Sequence, residues 1–467
     1  MINAIPAAAA ADKLSFREKF SYSLGNLGTN LLWTAISTFI VYFYTDIAGI
    51  AAATVGVLIL VSRIFDGASD VFMGLLVDRT KTRFGKARPF ILWMSVPFAV
   101  SMALLFTAPD FSMIGKIVYA FITYNVATTI IYTSIDIPYQ SLTSLLTQDQ
   151  YQRSLINIFR LFMAVIAGVI VNMSVLRLVD GFGGGAKGWQ LTFVIFGGIS
   201  LLLFLITFFN TKERVISQQT VKSEKIPVKK ALKALWKNKY WKILVVFAIL
   251  SYVSTGLGSS TVYYTQYILG DKNLVGTLTA FGAVPMLIGT FILAPFVKRY
   301  GKRNVAMAGC VCAILGHIIM ALSGTNLIII FVATFFKSLG GAAVIGTLFA
   351  LIADTVEYGE WKSGIRSEGL VFSAVSFGGK LGNGLGAAIV GIVLSIGGYI
   401  AQAEVQTPMA LASMKVLFIF LPLALSIGML LLLIPYKLDK EYPAILEELN
   451  SRKQSGEGSV AEQNPVA

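Results

Sequence analysis

Seven ionisable side chains stand inside stretches that are otherwise apolar: Arg63, Asp66, Asp70, Asp136, Arg160, Lys337 and Lys380. At the centre of a bilayer each costs on the order of 3 kcal/mol or more unless it pairs or faces water, so residues of this kind carry function by default. Spacings of three and four put Arg63, Asp66 and Asp70 on one helix face. Two carboxylates one turn apart repel unless a cation or a proton lies between them. Na⁺ is a hard ion that takes oxygen ligands, by the logic that governs Ca²⁺ and Mg²⁺; alternatively, one carboxylate holds a proton. In both cases this face is a cation-coupling site. Asp136 lies in the run Tyr132-Thr133-Ser134-Ile135-Asp136-Ile137-Pro138-Tyr139-Gln140, which puts a carboxylate, two hydroxyls and an amide within two helical turns. Together with Arg160 it offers charge-assisted hydrogen bonds to vicinal hydroxyls. Polyols such as sugars fit that pattern, and small anions fit Arg160 with Lys380. Asn26 and Asn30, in Gly25-Asn26-Leu27-Gly28-Thr29-Asn30, add neutral hydrogen-bonding groups beside glycines that permit close helix approach. Lys337 is read as a snorkelling or helix-capping side chain.

The elements that must position these groups are set by composition. Of 467 residues, 56% are hydrophobic and 13% charged, about half the charge of a soluble domain. A soluble chain of this length would need a charged skin that these residues cannot supply. Long apolar segments recur at 22–45, 53–77, 89–108, 115–143, 151–178 and 189–210, then at 242–268, 274–297, 304–323, 326–353, 367–397 and 411–435. Each is long enough to cross a ~30 Å hydrocarbon core with some tilt. The expected architecture is therefore an all-α polytopic membrane protein of twelve transmembrane helices in two six-helix halves. Its parts are an N-terminal tail (1–19), a first bundle (20–211), a basic connector (212–241), a second bundle (242–436) and a C-terminal tail (437–467). The connector helix is expected over Val228–Trp241, lying on the membrane surface. Ala7–Ala11 follow no basic segment or apolar core, which argues against a cleaved signal peptide and for a disordered tail. Cys310 and Cys312, with His317 as the single histidine, are too few for a zinc or disulfide framework and read as packing residues.

The net charge of +14 is a topology signal rather than a nucleic-acid signal. Twenty-nine Lys and Arg fall on the side of the tails and connector and five on the other. The positive-inside rule then puts both termini in the cytoplasm, as an even number of spans also requires. The chain repeats itself. Leu76-Val77-Asp78-Arg79-Thr80-Lys81-Thr82-Arg83-Phe84-Gly85-Lys86 follows the second span, and Phe296-Val297-Lys298-Arg299-Tyr300-Gly301-Lys302-Arg303 follows the eighth. Ile137–Arg153 and Ile352–Arg366 form a second matching pair. Two six-span halves of this kind are the parallel-repeat transporter plan. Asp78, Arg79, Arg88, Arg299 and Arg303 are the expected gating residues, with Asp78 and the nearby arginines forming interhelical salt bridges that hold the inward side shut.

Four runs carry a family resemblance: Phe65-Asp66-Gly67-Ala68-Ser69-Asp70, Asp78 to Pro89, Asp136-Ile137-Pro138-Tyr139, and Asp354-Thr355-Val356-Glu357-Tyr358-Gly359-Glu360-Trp361. From about Phe16 to Leu449 the chain resembles the glycoside–pentoside–hexuronide:cation symporters of the major facilitator fold, related to the melibiose and glucuronide carriers. The resemblance implies that Asp66 and Asp70 bind the coupling cation with help from Thr133, that Asp136 and Arg160 hold the sugar, and that Lys380 lies close to the cation site. It also marks departures. A sugar-binding Asp of the melibiose carrier is Asn30 here, the Lys before it is Thr29, a stacking aromatic is Gln140, and an Asn of the Na⁺ site is Ser69. The region of Gly364-Ile365-Arg366-Ser367-Glu368-Gly369 is closer to the glucuronide and sulfosugar branch, whose members commonly carry Asn at the place of Asp136.

The expected function is import of a sugar or glycoside by symport with Na⁺ or H⁺ through alternating access, in a bacterial inner membrane. The cation site comprises Asp66, Ser69, Asp70 and Thr133, and the substrate site Asn26, Asn30, Tyr132, Asp136, Gln140, Arg160 and Lys380. No cofactor, no metal beyond the coupling cation and no nucleic-acid partner is expected, and a monomer suffices. A membrane enzyme is disfavoured, since no soluble catalytic domain and no acidic metal-ligating motif at a membrane edge is present. A cation-coupled transporter of organic anions and a sugar uniporter or exchanger on the same fold are the alternatives.

Overall fold

The computed structural model describes residues 14–214, 228–365 and 368–454. Ala7–Ala11 and part of the connector lie outside them. The first six long helices are α1 (Phe16–Ile47), α2 (Ala52–Arg79), α3 (Arg88–Leu105), α4 (Met113–Leu146), α5 (Gln150–Gly181) and α6 (Gly185–Asn210). A short helix, α7 (Val228–Lys237), follows in the connector. Then come α8 (Lys239–Tyr267), α9 (Leu274–Tyr300), α10 (Lys302–Leu322), α11 (Leu327–Ser363), α12 (Glu368–Ile396), α13 (Pro408–Leu433) and the C-terminal α14 (Leu438–Gln454). Eleven of the described helices are long and apolar enough to cross a membrane by length and composition. The twelfth long helix of the two sets is α2, whose 28 residues carry Arg63, Asp66 and Asp70 within an otherwise apolar run.

Local chemistry fixes the helix ends. Ser15, Asp149, Asn238 and Asn326 cap α1, α5, α8 and α11, each accepting an N–H of the first turn. Asn238 also ends the connector helix. The single helix expected over Val228–Trp241 is two, because the Asn238 side chain accepts from Trp241 N at 3.0 Å and its backbone is extended. At 37 residues α11 is about 55 Å long, well beyond a ~30 Å core. Its last turns, which hold the Asp354–Trp361 run, therefore need not lie in hydrocarbon.

The chain packs as two compact units that do not follow the boundary between the two sets of six. The first joins α1–α6 to Gly258–Ala280 and Ala387–Met414. Its core at the far ends of these helices is aromatic: Phe106 stacks on Phe193, and Trp189 packs against Phe43. Beside it Asp46 accepts from Tyr399 Oη at 2.6 Å and from Thr45 Oγ1 at 2.7 Å, while the Tyr263 hydroxyl lies 2.8 Å from that of Thr45. Burial and the Asp46 carboxylate push the Tyr399 phenol up, so it remains the donor.

The second unit holds Phe281–Gly386, with the start of α8 and the chain from Lys415 onward. Its core gathers Leu244, Phe247, Leu348, Leu351, Ile352 and Tyr436. Here α10 and α11 touch backbone to backbone at Gly309, Gly316 and Gly340, where a Cβ would meet the facing helix within 3 Å. Lys337 corrects an expectation. It neither snorkels nor caps, because it lies mid-helix with its ammonium 4.6 Å from the Phe418 ring centroid.

Candidate cation and substrate site

The acidic face of α2 is built against α4. Arg63 and Asp66 are 3% and 2% exposed, and Arg63 Nη1 donates to Asp66 Oδ2 at 2.8 Å. Thr129 Oγ1 donates to the other carboxylate oxygen of Asp66. Ser69 Oγ donates to the Asp66 carbonyl at 2.8 Å and lies 3.5 Å from Thr133 Oγ1, which donates to Asp70 Oδ1 at 3.4 Å. Further along, Asn125 Nδ2 donates to Ser62 Oγ at 2.8 Å. Asn125, Thr129 and Thr133 are spaced by four on α4. In a regular helix such a stripe drifts by roughly 40° per step. The π-helical stretch Val126–Tyr132 lies between its ends and returns the stripe to α2.

This geometry revises the electrostatics read from spacing alone. Repulsion between Asp66 and Asp70 was expected to call for a cation, yet Arg63 of the same helix already neutralises Asp66. The guanidinium is also 4.9 Å from the Trp33 ring centroid and 5.8 Å from that of Tyr124, a cation–π setting that holds it in place. Four of the predicted residues thus come together: Asp66, Ser69, Asp70 and Thr133. Reading the sequence missed Thr129, Asn125, Ser62, Trp33 and Tyr124. The four-residue spacing of Asn125, Thr129 and Thr133 was the available signal for the first two.

The polar groups of the expected sugar site lie on α1, α4 and α5. Gln140 Nε2 donates to Asp136 Oδ2 at 2.6 Å. Arg160 on α5 stacks over Tyr139 with its Cζ 5.3 Å from the ring centroid, its Nη1 lies 3.5 Å from Asn157 Oδ1, and its buried Nε has no protein partner. Asn26 Nδ2 donates to the Arg160 carbonyl at 2.8 Å, and Asn30 Nδ2 to the Asn26 carbonyl at 2.8 Å. Asn26 therefore ties α1 to α5, and Asn30 stands one turn further on. Tyr22 and Tyr139 stack at 4.6 Å and exchange hydrogen bonds with each other's carbonyls. This contact requires Gly25, where a Cβ would come 2.6 Å from the Tyr139 ring. Tyr132 packs on Trp33 at 5.6 Å, so one indole touches both the Arg63 guanidinium and the residue that opens the Asp136 run. Lys380 lies on α12, partly buried, in the second unit.

The residues expected to gate behave differently from the salt-bridge picture. Arg88 Nη2 donates to the Phe208 carbonyl at 2.7 Å, and Glu213 accepts the backbone N–H of Lys86, Ala87 and Arg88. In the second unit Arg303 donates to the carbonyls of Leu433 and Ile434, and Asp439 accepts the backbone N–H of Arg303 at 2.8 Å. Each arginine thus ties the start of one helix to the end of another within its own unit, and an acid after the sixth or twelfth long helix caps that start. Arg299 lies over Tyr300, 5.3 Å from its ring centroid. Asp78 and Arg79 are exposed at the end of α2.

Among the described residues, twelve long helices with buried charge on the second are consistent with a membrane transporter of the major facilitator fold. The solved structure of a point mutant of the nucleoside transporter NupG superimposes with a TM-score of 0.64 at 14% identity, covering 89% of this chain and 99% of that one. The chain belongs to the MFS/sugar transport protein family, whose model matches residues 21–440, and within it to the glycoside–pentoside–hexuronide symporters. It is 38% identical over 455 residues to the isoprimeverose transporter of Lactiplantibacillus pentosus, covering 95% of this chain and 93% of that protein. It is 31% identical over 462 residues to the glucuronide carrier protein homolog of Escherichia coli (strain K12), covering 95% and 97%. It is a transporter and not an enzyme, a symporter of the sugar or glycoside class.

Proposed function

We propose that the protein imports a neutral glycoside, with isoprimeverose the first candidate, in symport with one monovalent cation, Na⁺ or H⁺. Asp66, Ser69, Asp70 and Thr133 hold the cation. Arg63 offsets the charge of Asp66 within this arrangement. Asn26, Asn30, Tyr132, Asp136, Gln140 and Arg160 hold the sugar. The observation that carries this reading is the continuity of α4, on which Thr129 and Thr133 bind the acids of α2 while Asp136 and Gln140, one and two turns on, bind each other. A cation that reorders Thr133 acts on the helix that presents the sugar ligands, so each ligand strengthens the other reciprocally. Asp136 favours polyols over acids, since a carboxylate repels an anionic substrate.

The protein works in a bacterial inner membrane as a monomer with both termini in the cytoplasm, a placement supported by the bias of basic residues toward the tails and connector. One positive charge crossing ~100 mV releases about 2.3 kcal/mol, enough for roughly 40-fold accumulation. The test is uptake and counterflow in energised vesicles of wild type and Asp70→Asn, with Na⁺ or H⁺ as the sole gradient. Loss of uphill uptake with retained counterflow supports the assignment, and wild-type accumulation by the variant overturns it. A panel of disaccharides, β-glycosides and glucuronides in the same vesicles fixes the sugar, and preference for the glucuronide refutes the neutral class.

A further inference from the structure

Between the acidic face of α2 and the polar run of α4 that begins at Tyr132 stands a side chain that belongs to neither set of ligands, Trp33 of α1. Spacings of four and three put Asn26, Asn30 and Trp33 on one face of that helix, so the indole follows directly on the two asparagines. It is partly buried. The Arg63 guanidinium lies 4.9 Å from its ring centroid, and the Tyr132 ring lies 5.6 Å away at an interplanar angle of 34°. Tyr132 in turn stands one helical turn before Asp136. Three helices of the first unit thus meet on one indole, with the cation ligands on one side of it and the sugar ligands on the other.

Neither the ring nor the guanidinium is locked in place. Among the described residues the Trp33 indole N–H donates to no acceptor, and the buried Arg63 Nε has no hydrogen-bond partner. Arg63 is held instead by one charge and by ring faces. Its Nη1 donates to Asp66 Oδ2 at 2.8 Å, and the Tyr124 ring centroid lies 5.8 Å from its Cζ. These holds respond differently when the cation site fills. A cation or proton on the carboxylates lowers the negative charge that draws Arg63, and a metal cation also repels it. The attraction of a π face for a guanidinium is untouched. Filling the site therefore moves the balance of Arg63 from Asp66 toward the indole, and the indole bears on Tyr132 at the head of the Asp136 run.

We propose that Trp33 is a positioning residue that couples the two sites, passing the shift of Arg63 to Tyr132 so that a filled cation site raises the affinity for sugar. This role rests on the proposed symport. The two states that it links are Arg63 held by Asp66 and Arg63 held by the rings, each biased by the cation site directly and by the sugar site through Tyr132.

The coupling is read as the ratio of sugar affinities with and without the cation, which cancels whatever a substitution does to the sugar site alone. The purified full-length protein is titrated by calorimetry with isoprimeverose, or with the neutral glycoside that the uptake panel selects. Each titration is run in Na⁺ and in choline, at acidic and at alkaline pH, so that either coupling ion registers. Trp33→Leu lowers the wild-type ratio about tenfold, and Trp33→Phe, which keeps a π face, lowers it less. Added to Arg63→Gln, Trp33→Leu lowers the ratio no further, because the contact is already gone. A fluorinated tryptophan at position 33 keeps the shape and drains the negative face of the ring, and it lowers the ratio about threefold. That protein decides the matter should Trp33→Leu fail to fold. A ratio insensitive to fluorination or to Trp33→Leu, or a full further loss in the Arg63→Gln background, overturns this role and leaves symport standing. A wild-type ratio of one for both ions overturns symport and the role together.

Discussion

The Arg63–Asp66 pair is the most exposed point of the electrostatic argument, and a double-mutant cycle tests it. The two side chains lie 2.8 Å apart and are 2% and 3% exposed. At an effective dielectric near 20 their gross attraction is about 6 kcal/mol. Desolvation of both ions cancels much of that, so the pair as a whole stabilises little over a neutral substitute. Removing one partner is different, because it strands a buried charge at a cost of ~3–5 kcal/mol. Arg63→Gln strands Asp66, and Asp66→Asn strands Arg63 while keeping an oxygen for Thr129. The double variant strands neither and returns to within ~2 kcal/mol of wild type, a coupling energy of at least ~4 kcal/mol. Unfolding of the detergent-solubilised protein, followed by circular dichroism for all four chains of the cycle, measures this directly. Additivity of the two single substitutions within ~0.5 kcal/mol, or Arg63→Gln as stable as wild type, would refute the ion pair.

Thr133→Val keeps the shape of the side chain and removes an oxygen that bonds Asp70, so apparent affinity for the coupling cation falls about tenfold; uptake against cation concentration measures it. Glu213→Ala leaves the N–H groups of Lys86, Ala87 and Arg88 without their acceptor, costing ~1–3 kcal/mol of stability, with Asp439→Ala acting in the same way in the second unit. Glu448 accepts from the Trp361 indole and Arg452, which holds its carboxyl below the ordinary glutamate range. A depressed folded-state value stabilises above the unfolded one and is lost as pH falls. Glu448→Gln should therefore loosen α14 at neutral pH and converge on wild type as pH falls below the ordinary glutamate range, as followed by limited proteolysis of the C-terminal segment.

Much of this protein is local chemistry, and local chemistry is legible in a sequence. A bilayer demands long apolar runs whose backbone is satisfied within each helix, so eleven of the described helices stand out by length and composition and α2 is marked instead by the charges it carries. Charges left inside those runs are expensive enough that Arg63, Asp66, Asp70, Asp136 and Arg160 announce themselves. The asparagine that breaks the connector at Asn238 was equally visible as a cap and was overridden by helical periodicity. Partner choice was not legible. Spacing put Arg63 on the same face as the two acids but left open which charge it would cancel, and nothing near Glu213 or Asp439 in the chain marks them as caps for helix starts more than a hundred residues away.

Sequence by itself determined the class of protein, the helix that carries the charge and the residue types facing its neighbours, because these follow from hydration cost and helical period. Tertiary structure alone decided that Arg63 neutralises Asp66 and that a π turn keeps Asn125, Thr129 and Thr133 aimed at α2. It also decided that Arg88 and Arg303 brace their own units. These are distances between side chains on different turns and different helices, and small changes in helix rotation or approach alter them while the sequence pattern stays the same.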